Sequence, residues 1–318
     1  MSLVFAAGLV VVLALAQVVD VLRPNRAVGQ WKSVEAAREY DRAYTEAMAA
    51  IPDPDEVQDV ATSFGVVRVM RWRGSAGGQP VLLVPGRSSG APMWVENLPS
   101  WIGRRTVYTV DAIGDAGHSA QSVPLTSTAD QATWLAETVR ALGEGSVHVV
   151  GHSFGGATAV EFALAHPDLV ATLTLLEPIM VIAGMPASIY LWATVLTVPA
   201  PQWLRDRAMA RIGGTSVEEV RRRSPMSELI DAASEGYSAA LPMPGTLSDE
   251  QWRSLEMPVR VDLGAESDLA GGAKGAERLR SVVPGAAVTV WPGAAHSLPM
   301  ERHEQLGDEL LQFWDRPR

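Results

Sequence analysis

Val147-His-Val-Val-Gly151-His-Ser153-Phe-Gly155-Gly156 runs from an apolar, β-branched segment into a glycine-flanked serine, and the largely apolar stretch Ala157 to Ala165 follows. A buried strand, a tight turn and a helix are the reading of that order. Gly-x-Ser-x-Gly is a weak pattern alone, but between a strand and a helix it has a mechanical meaning. The serine occupies a strained strand-to-helix turn, and Gly151 and Gly155 flank it because side chains there would collide with neighbouring backbone. The turn presents the Ser153 hydroxyl at a helix amino terminus, whose free N–H groups favour developing negative charge.

Outward from this turn the chain repeats the same alternation. Asp59 to Phe64 and Val66 to Trp72, joined at Gly65, read as a hairpin. Val81 to Val84, Thr106 to Val110, Val147 to Val150, Thr172 to Leu176, Val259 to Leu263 and Ala287 to Trp291 read as buried strands. Helical stretches fall near 91–102, 128–142, 155–166 and 301–315. Strands alternating with helices predict an α/β fold with a mainly parallel sheet covered on both faces, and function then collects at the carboxyl ends of the strands.

A serine hydroxyl needs a base to take its proton. Of the six histidines, His148 lies within a strand, His152 within the turn, His166 before Pro167, His118 in a glycine-rich loop and His303 on the last helix. His296, in Pro292-Gly-Ala-Ala-His296-Ser-Leu-Pro, directly follows the last strand, where a loop can swing imidazole over the sheet edge toward Ser153.

In this ordered set of motifs the chain resembles the α/β-hydrolase fold family over roughly residues 59–316. The motifs are Leu82-Leu-Val-Pro-Gly86, Asp111-Ala-Ile-Gly-Asp-Ala-Gly-His-Ser119, the turn at Gly151 to Gly155, and Gly293-Ala-Ala-His296-Ser-Leu-Pro-Met-Glu301. The resemblance implies eight strands, Ser153 as nucleophile, His296 as base, and an oxyanion hole from the backbone N–H groups of Phe154 and Arg87. It implies no metal or organic cofactor. Pro85-Gly86 stands where many relatives have His-Gly, which removes a side chain and keeps the backbone donor.

For the acid, the common family position lies three residues beyond Gly264 and holds Ser267 here. Asp268, one residue on, is the first candidate. Some family members take the acid from the end of the preceding strand, where Leu175-Leu-Glu177-Pro178 supplies Glu177; Glu266 is the third candidate. The acid must hold imidazole in the right tautomer and stabilise its charged form.

About eighty residues, 179–257, separate two of these strands, and the resemblance makes them a helical cap over the nucleophile. No charged side chain occurs from Pro178 through Leu204, and Met180, Met185, Ile189, Tyr190, Trp192 and Trp203 lie within that run. Gly184, Pro186, Pro199 and Pro201 leave only Ala187 to Val198 uninterrupted, too short to span a bilayer. An apolar cap suits a substrate with an apolar acyl or alcohol part and excludes water from an acyl-enzyme. The expected activity is serine hydrolysis of a carboxylic ester or thioester. A cofactor-free haloperoxidase or a carbon–carbon bond hydrolase would use the same residues, and a non-catalytic receptor would keep the fold. Epoxide hydrolases and dehalogenases use aspartate where this chain has Ser153.

Composition bounds the rest. The 318 residues are 47% hydrophobic, carry a formal charge of −10 and contain no cysteine, which excludes disulfides, thiolate metal sites and a cysteine nucleophile. The acidic balance argues against a general nucleic-acid binder. From Ser2 to Val19 there is no charged side chain, and Arg23, Arg26, Lys32 and Arg38 follow. Residues 1–22 therefore read as a membrane anchor with the remainder on the cytoplasmic side, as a secretory signal cleaved near Ala14-Leu-Ala16, or as a buried helix. Residues 23–58 read as an amphipathic connecting arm built on Ala37, Tyr40, Tyr44, Met48 and Ile51, and 59–318 as the hydrolase domain.

Overall fold

The computed structural model describes residues 27–75, 77–197, 200–213, 215–222 and 224–315. Among these, eleven strands form a large sheet and one two-stranded pair. The large sheet contains β2 (Glu56–Thr62), β3 (Gly65–Trp72), β4 (Val81–Val84), β5 (Val107–Val110), β6 (Ala120–Gln121), β7 (Val147–His152), β8 (Val170–Leu176), β10 (Val259–Gly264) and β11 (Ala287–Trp291). Its main path is β11-β10-β8-β7-β4-β5-β3-β2, with β6 paired to β3. From β11 to β5 every pairing is parallel, and β3 joins β5 and β2 antiparallel. The eight-stranded sheet is thus present, with a short ninth strand at its side.

Of the strands read as buried, β4, β5, β7, β8 and β10 are enclosed, whereas β11, at the sheet edge, is half-buried up to Trp291. β4 is apolar on both faces, while β7, β8 and β10, equally enclosed, also bury polar side chains: His148 and His152, Thr172 and Thr174, and the paired Arg260 and Asp262. Leu82 and Val84 face Trp134 and Leu135 of α3 (Thr128–Leu142) and Phe162 of α4 (Ser153–Ala165). Val81 and Leu83 face the other layer, with Trp101 of α2 (Leu98–Trp101) and Phe313 and Trp314 of the last helix. Each such side chain contributes about 1.5–3 kcal/mol on burial. α3 starts at Ser127, which shares a capping box with Asp130, and stops at Gly143 in the left-handed conformation.

Some boundaries differ from the expectation. The stretch 91–102 divides into a 3-10 turn, Ala91–Trp94, and α2, each with proline in its first turn, because proline starts a helix but cannot continue one. The helix expected at 301–315 is α12 (His303–Trp314), and a separate short helix, α11 (Leu298–Glu301), precedes it.

The insertion between β8 and β10 holds α5 (Ala187–Thr197), α6 (Gln202–Gly213), α7 (Val217–Arg221), α8 (Pro225–Gly236), β9 (Tyr237–Ser238) and α9 (Asp249–Arg253); α10 (Gly272–Val282) follows β10. Residues 30–48 do not stand apart as a connecting arm. β1 (Gln30–Trp31) pairs antiparallel with β9 at the end of the insertion, and α1 (Val34–Met48) packs along α8. Tyr40 and Tyr44 are buried, and the Tyr44 hydroxyl lies 3.3 Å from both carboxylate oxygens of Asp111, beyond the end of β5. The expected helix at 1–22 lies outside the described residues. Among the described residues no helix is long and apolar enough to cross a membrane.

Candidate active site

All the parallel strands end on one edge, and three loops from that edge converge. β7 passes into α4 with no intervening loop, so Ser153 is both the end of the turn and the first residue of the helix. Its φ of 52° lies in the left-handed region. A side chain at Gly155 would stand 2.2 Å from the Pro85 carbonyl oxygen, and one at Gly151 would stand 2.5 Å from the Gly155 carbonyl oxygen. The two glycines let strand, turn and helix approach closely enough to hold that conformation.

His296 approaches from the loop after β11. Its Nε2 is 2.8 Å from Ser153 Oγ, and its Nδ1 is 3.1 Å from Glu177 Oε2. The loop is pinned by the Ala295 N–H, which donates to Glu301 Oε2 at 2.9 Å, and by the Glu266 N–H, which donates to the Ala294 carbonyl at 2.9 Å.

The carboxylate that meets His296 is Glu177, and the first expectation, Asp268, is corrected on this point. Asp268 and Glu266 have exposed side chains on the wall of the cleft beneath the cap, whereas Glu177 is fully buried at the end of β8. The physical reason lies in Ser267. Occupying the position where the common arrangement carries the acid, its hydroxyl donates to Glu177 Oε2 at 2.6 Å, and the Gly264 N–H donates to Oε1 at 2.6 Å. Glu177 also holds a φ of 48°, and its N–H donates to the Asp262 carbonyl at 2.9 Å. Asp262 is itself fixed beneath the site by a two-point ion pair with Arg260 and by Trp291 Nε1.

The two residues expected to supply oxyanion donors, Phe154 and Arg87, lie in the segments that follow β7 and β4. The Phe154 N–H belongs to the first turn of α4 and has no acceptor within that helix. Arg87 lies in the loop after β4, next to Ser88, whose φ is 62° and whose N–H donates to Asp115 Oδ2 at 2.7 Å. Burial pushes the Asp115 carboxyl up, while the Ser88 and Ala116 N–H groups and Arg87 oppose it. Four non-glycine residues among those described have positive φ: Ser88, Ser153, Glu177 and Met180. Three of them bear on this one site. Such conformations cost about 1–3 kcal/mol each and persist where the surroundings over-determine them.

Sequence reasoning did not assign Ser267, Asp115 or His152 to the site. For Ser267 the sequence carries a signal, a hydroxyl three residues beyond Gly264 at the family's common acid position. His152 is buried; its Nε2–H donates to the His296 carbonyl at 2.9 Å, and its ring centre lies 5.0 Å from that of His296. Burial, reinforced by the neighbouring His296 imidazole, pushes His152 down from 6.5 to about 3, against the opposing pull of that hydrogen bond. Between those pH values the unfolded chain binds a proton that the fold does not, so stability rises with pH there and is lost as pH falls. Urea unfolding between about pH 6 and about pH 4 is therefore expected to show a slope up to about 1.4 kcal/mol per pH unit steeper for wild type than for His152→Gln. Equal slopes would refute a neutral His152.

A sequence profile of the alpha/beta hydrolase family matches residues 81–309. This chain is an alpha/beta hydrolase. The hydrolase is 24% identical to carboxylesterase YbfK of Bacillus subtilis over 297 residues, 89% of this chain and 96% of the relative. The crystal structure of that esterase superposes with a TM-score of 0.78, covering 89% of this chain and 99% of the other. The naproxen esterase of Bacillus subtilis, at 23% identity, gives 0.79 with 89% and 100% covered. At these identities the solved structures speak to the fold, and the hydrolase shares it nearly end to end.

Proposed function

We propose that this hydrolase cleaves carboxylic esters, or thioesters, that carry an apolar moiety, through a Ser153–His296–Glu177 triad. The supporting observation is the unbroken relay of Oγ to Nε2 at 2.8 Å and Nδ1 to Oε2 at 3.1 Å, set at a helix amino terminus. The likeness to a carboxylesterase across almost the whole chain supports the same reading.

Ser153 Oγ attacks the carbonyl carbon while His296 Nε2 takes its proton. The oxygen becomes an alkoxide held by the N–H groups of Phe154 and Arg87, and losing one such donor costs about 3 kcal/mol in a comparable enzyme. His296 then returns the proton to the leaving alcohol or thiol, and the acyl group stays on Ser153. Water attacks next, its proton passing to His296 and then to Ser153 as the acid departs. Glu177 accepts from Nδ1–H throughout, fixing the tautomer and stabilising the imidazolium.

The apolar preference rests on a cleft of about 2430 Å³ between the cap and the loops of the sheet edge. Ile189, Trp192, Trp203, Met209, Met226 and Leu269 form its apolar part, beside charged walls that include Arg205, Arg211, Asp231 and Glu235; it stops at Ser267 and Ala295, the neighbours of Glu177 and His296, and does not itself include Ser153 or His296. A fluorophosphonate probe is expected to label the folded protein at one serine. Across p-nitrophenyl esters of two to twelve carbons, kcat/KM should rise by about tenfold or more before levelling. A folded protein that neither labels nor turns over any ester overturns the proposal and leaves a receptor of the same fold.

A further inference from the structure

The cap's outer surface is not accounted for by ester chemistry. Among the described residues, the exposed large apolar side chains outside the cap are single valines at 34, 57, 66 and 123. In the cap they are Tyr190 (38% exposed) and Leu191 (58%) on α5, and Trp203 (61%) and Met209 (39%) on α6. These two helices pack on each other, and Trp203 and Met209 are also walls of the cleft, so exposed apolar surface continues into the cleft.

Charge points the same way. Residues 178–204 carry no charge, while 202–223 hold six arginines against three carboxylates in a chain of net charge −10. Tyr and Trp beside apolar and arginine side chains suit the boundary between lipid headgroups and acyl chains.

We infer that the α5–α6 face docks on a lipid bilayer, seating Tyr190, Leu191, Trp203 and Met209 in the headgroup–acyl boundary with the cleft opening toward the lipid. On the esterase reading, the substrate class is then a long-chain acyl ester taken from the membrane. The docking does not depend on that chemistry.

The test uses the full chain and a Tyr190→Glu/Leu191→Glu double variant, neither residue being a wall of the cleft. Residues 1–26 are identical in both, so any difference reads the cap. With vesicles of phosphatidylcholine and phosphatidylglycerol, hydrolysis of embedded p-nitrophenyl palmitate is expected to fall about tenfold or more in the variant, while soluble p-nitrophenyl acetate is hydrolysed equally. Brominated acyl chains should quench the fluorescence of Trp203, taken as the difference between wild type and Trp203→Phe, and the double variant should lose that quenching. Parallel rates on both esters with no Trp203 quenching overturn the docking. Concentration-dependent dimerisation of wild type, absent in the variant and without quenching, overturns it in favour of a contact between copies. A wild type that hydrolyses neither ester removes the esterase reading, and the quenching then decides the docking by itself.

Discussion

Glu177→Gln is expected to lower kcat by about 10³–10⁴-fold, while Asp268→Asn stays within about threefold of wild type. The amide can still accept one hydrogen bond, but it removes the negative charge that stabilises imidazolium and, by offering N–H to Nδ1, favours the wrong tautomer. Asp268 lies exposed on the cleft wall, where losing a charge changes little. Ser267 supplies a sharper test. Its hydroxyl is 2.6 Å from the Glu177 oxygen that meets His296. A carboxylate placed there in the Glu177→Gln background, as Ser267→Asp, should restore about ten- to a hundredfold of the lost turnover. Steady-state kinetics on a soluble ester reads all three variants. Near wild-type turnover for Glu177→Gln would remove Glu177 from the triad.

Ser153→Ala is expected to reduce kcat by about five to six orders of magnitude and to abolish fluorophosphonate labelling, with the fold intact. What survives is catalysis from bound geometry and the two backbone donors alone. Alanine at this position keeps the left-handed φ of 52° and its cost. Ser153→Gly loses the same chemistry but relieves the strain, so its Tm should exceed that of Ser153→Ala by a few degrees, about 1 kcal/mol. Labelling that persists in Ser153→Ala would place the nucleophile elsewhere.

Much of this arrangement was legible in the residues because single positions satisfied several demands at once. Ser153 is bracketed by glycines that touch backbone, preceded by an apolar strand and followed by a helix, and the structure shows each of these. His296 was legible because it follows the last strand in a loop able to turn inward. The acid was not. Asp268 and Glu177 lie after different strands, and what separates them is the pairing of β8 with β10 and the turn of Ser267 toward Glu177, contacts between residues about ninety positions apart. Local pattern carries no information about such a choice. The placement of residues 30–48 failed for a similar reason. An amphipathic helix declares that it has an apolar face but not what covers it, and α8, which covers it, lies almost two hundred residues away.

The pairing of β1 with β9 sets an order on biosynthesis. Gln30 and Trp31 leave the ribosome about two hundred residues before Tyr237 and Ser238 exist. At about 5–20 residues per second the interval is about 10–40 s. For that time the apolar face of α1, with Tyr40 and Tyr44, has no α8 to lie against. A segment made early is thus among the last to be enclosed, and its strand partner in the insertion exists only once about two hundred further residues are made.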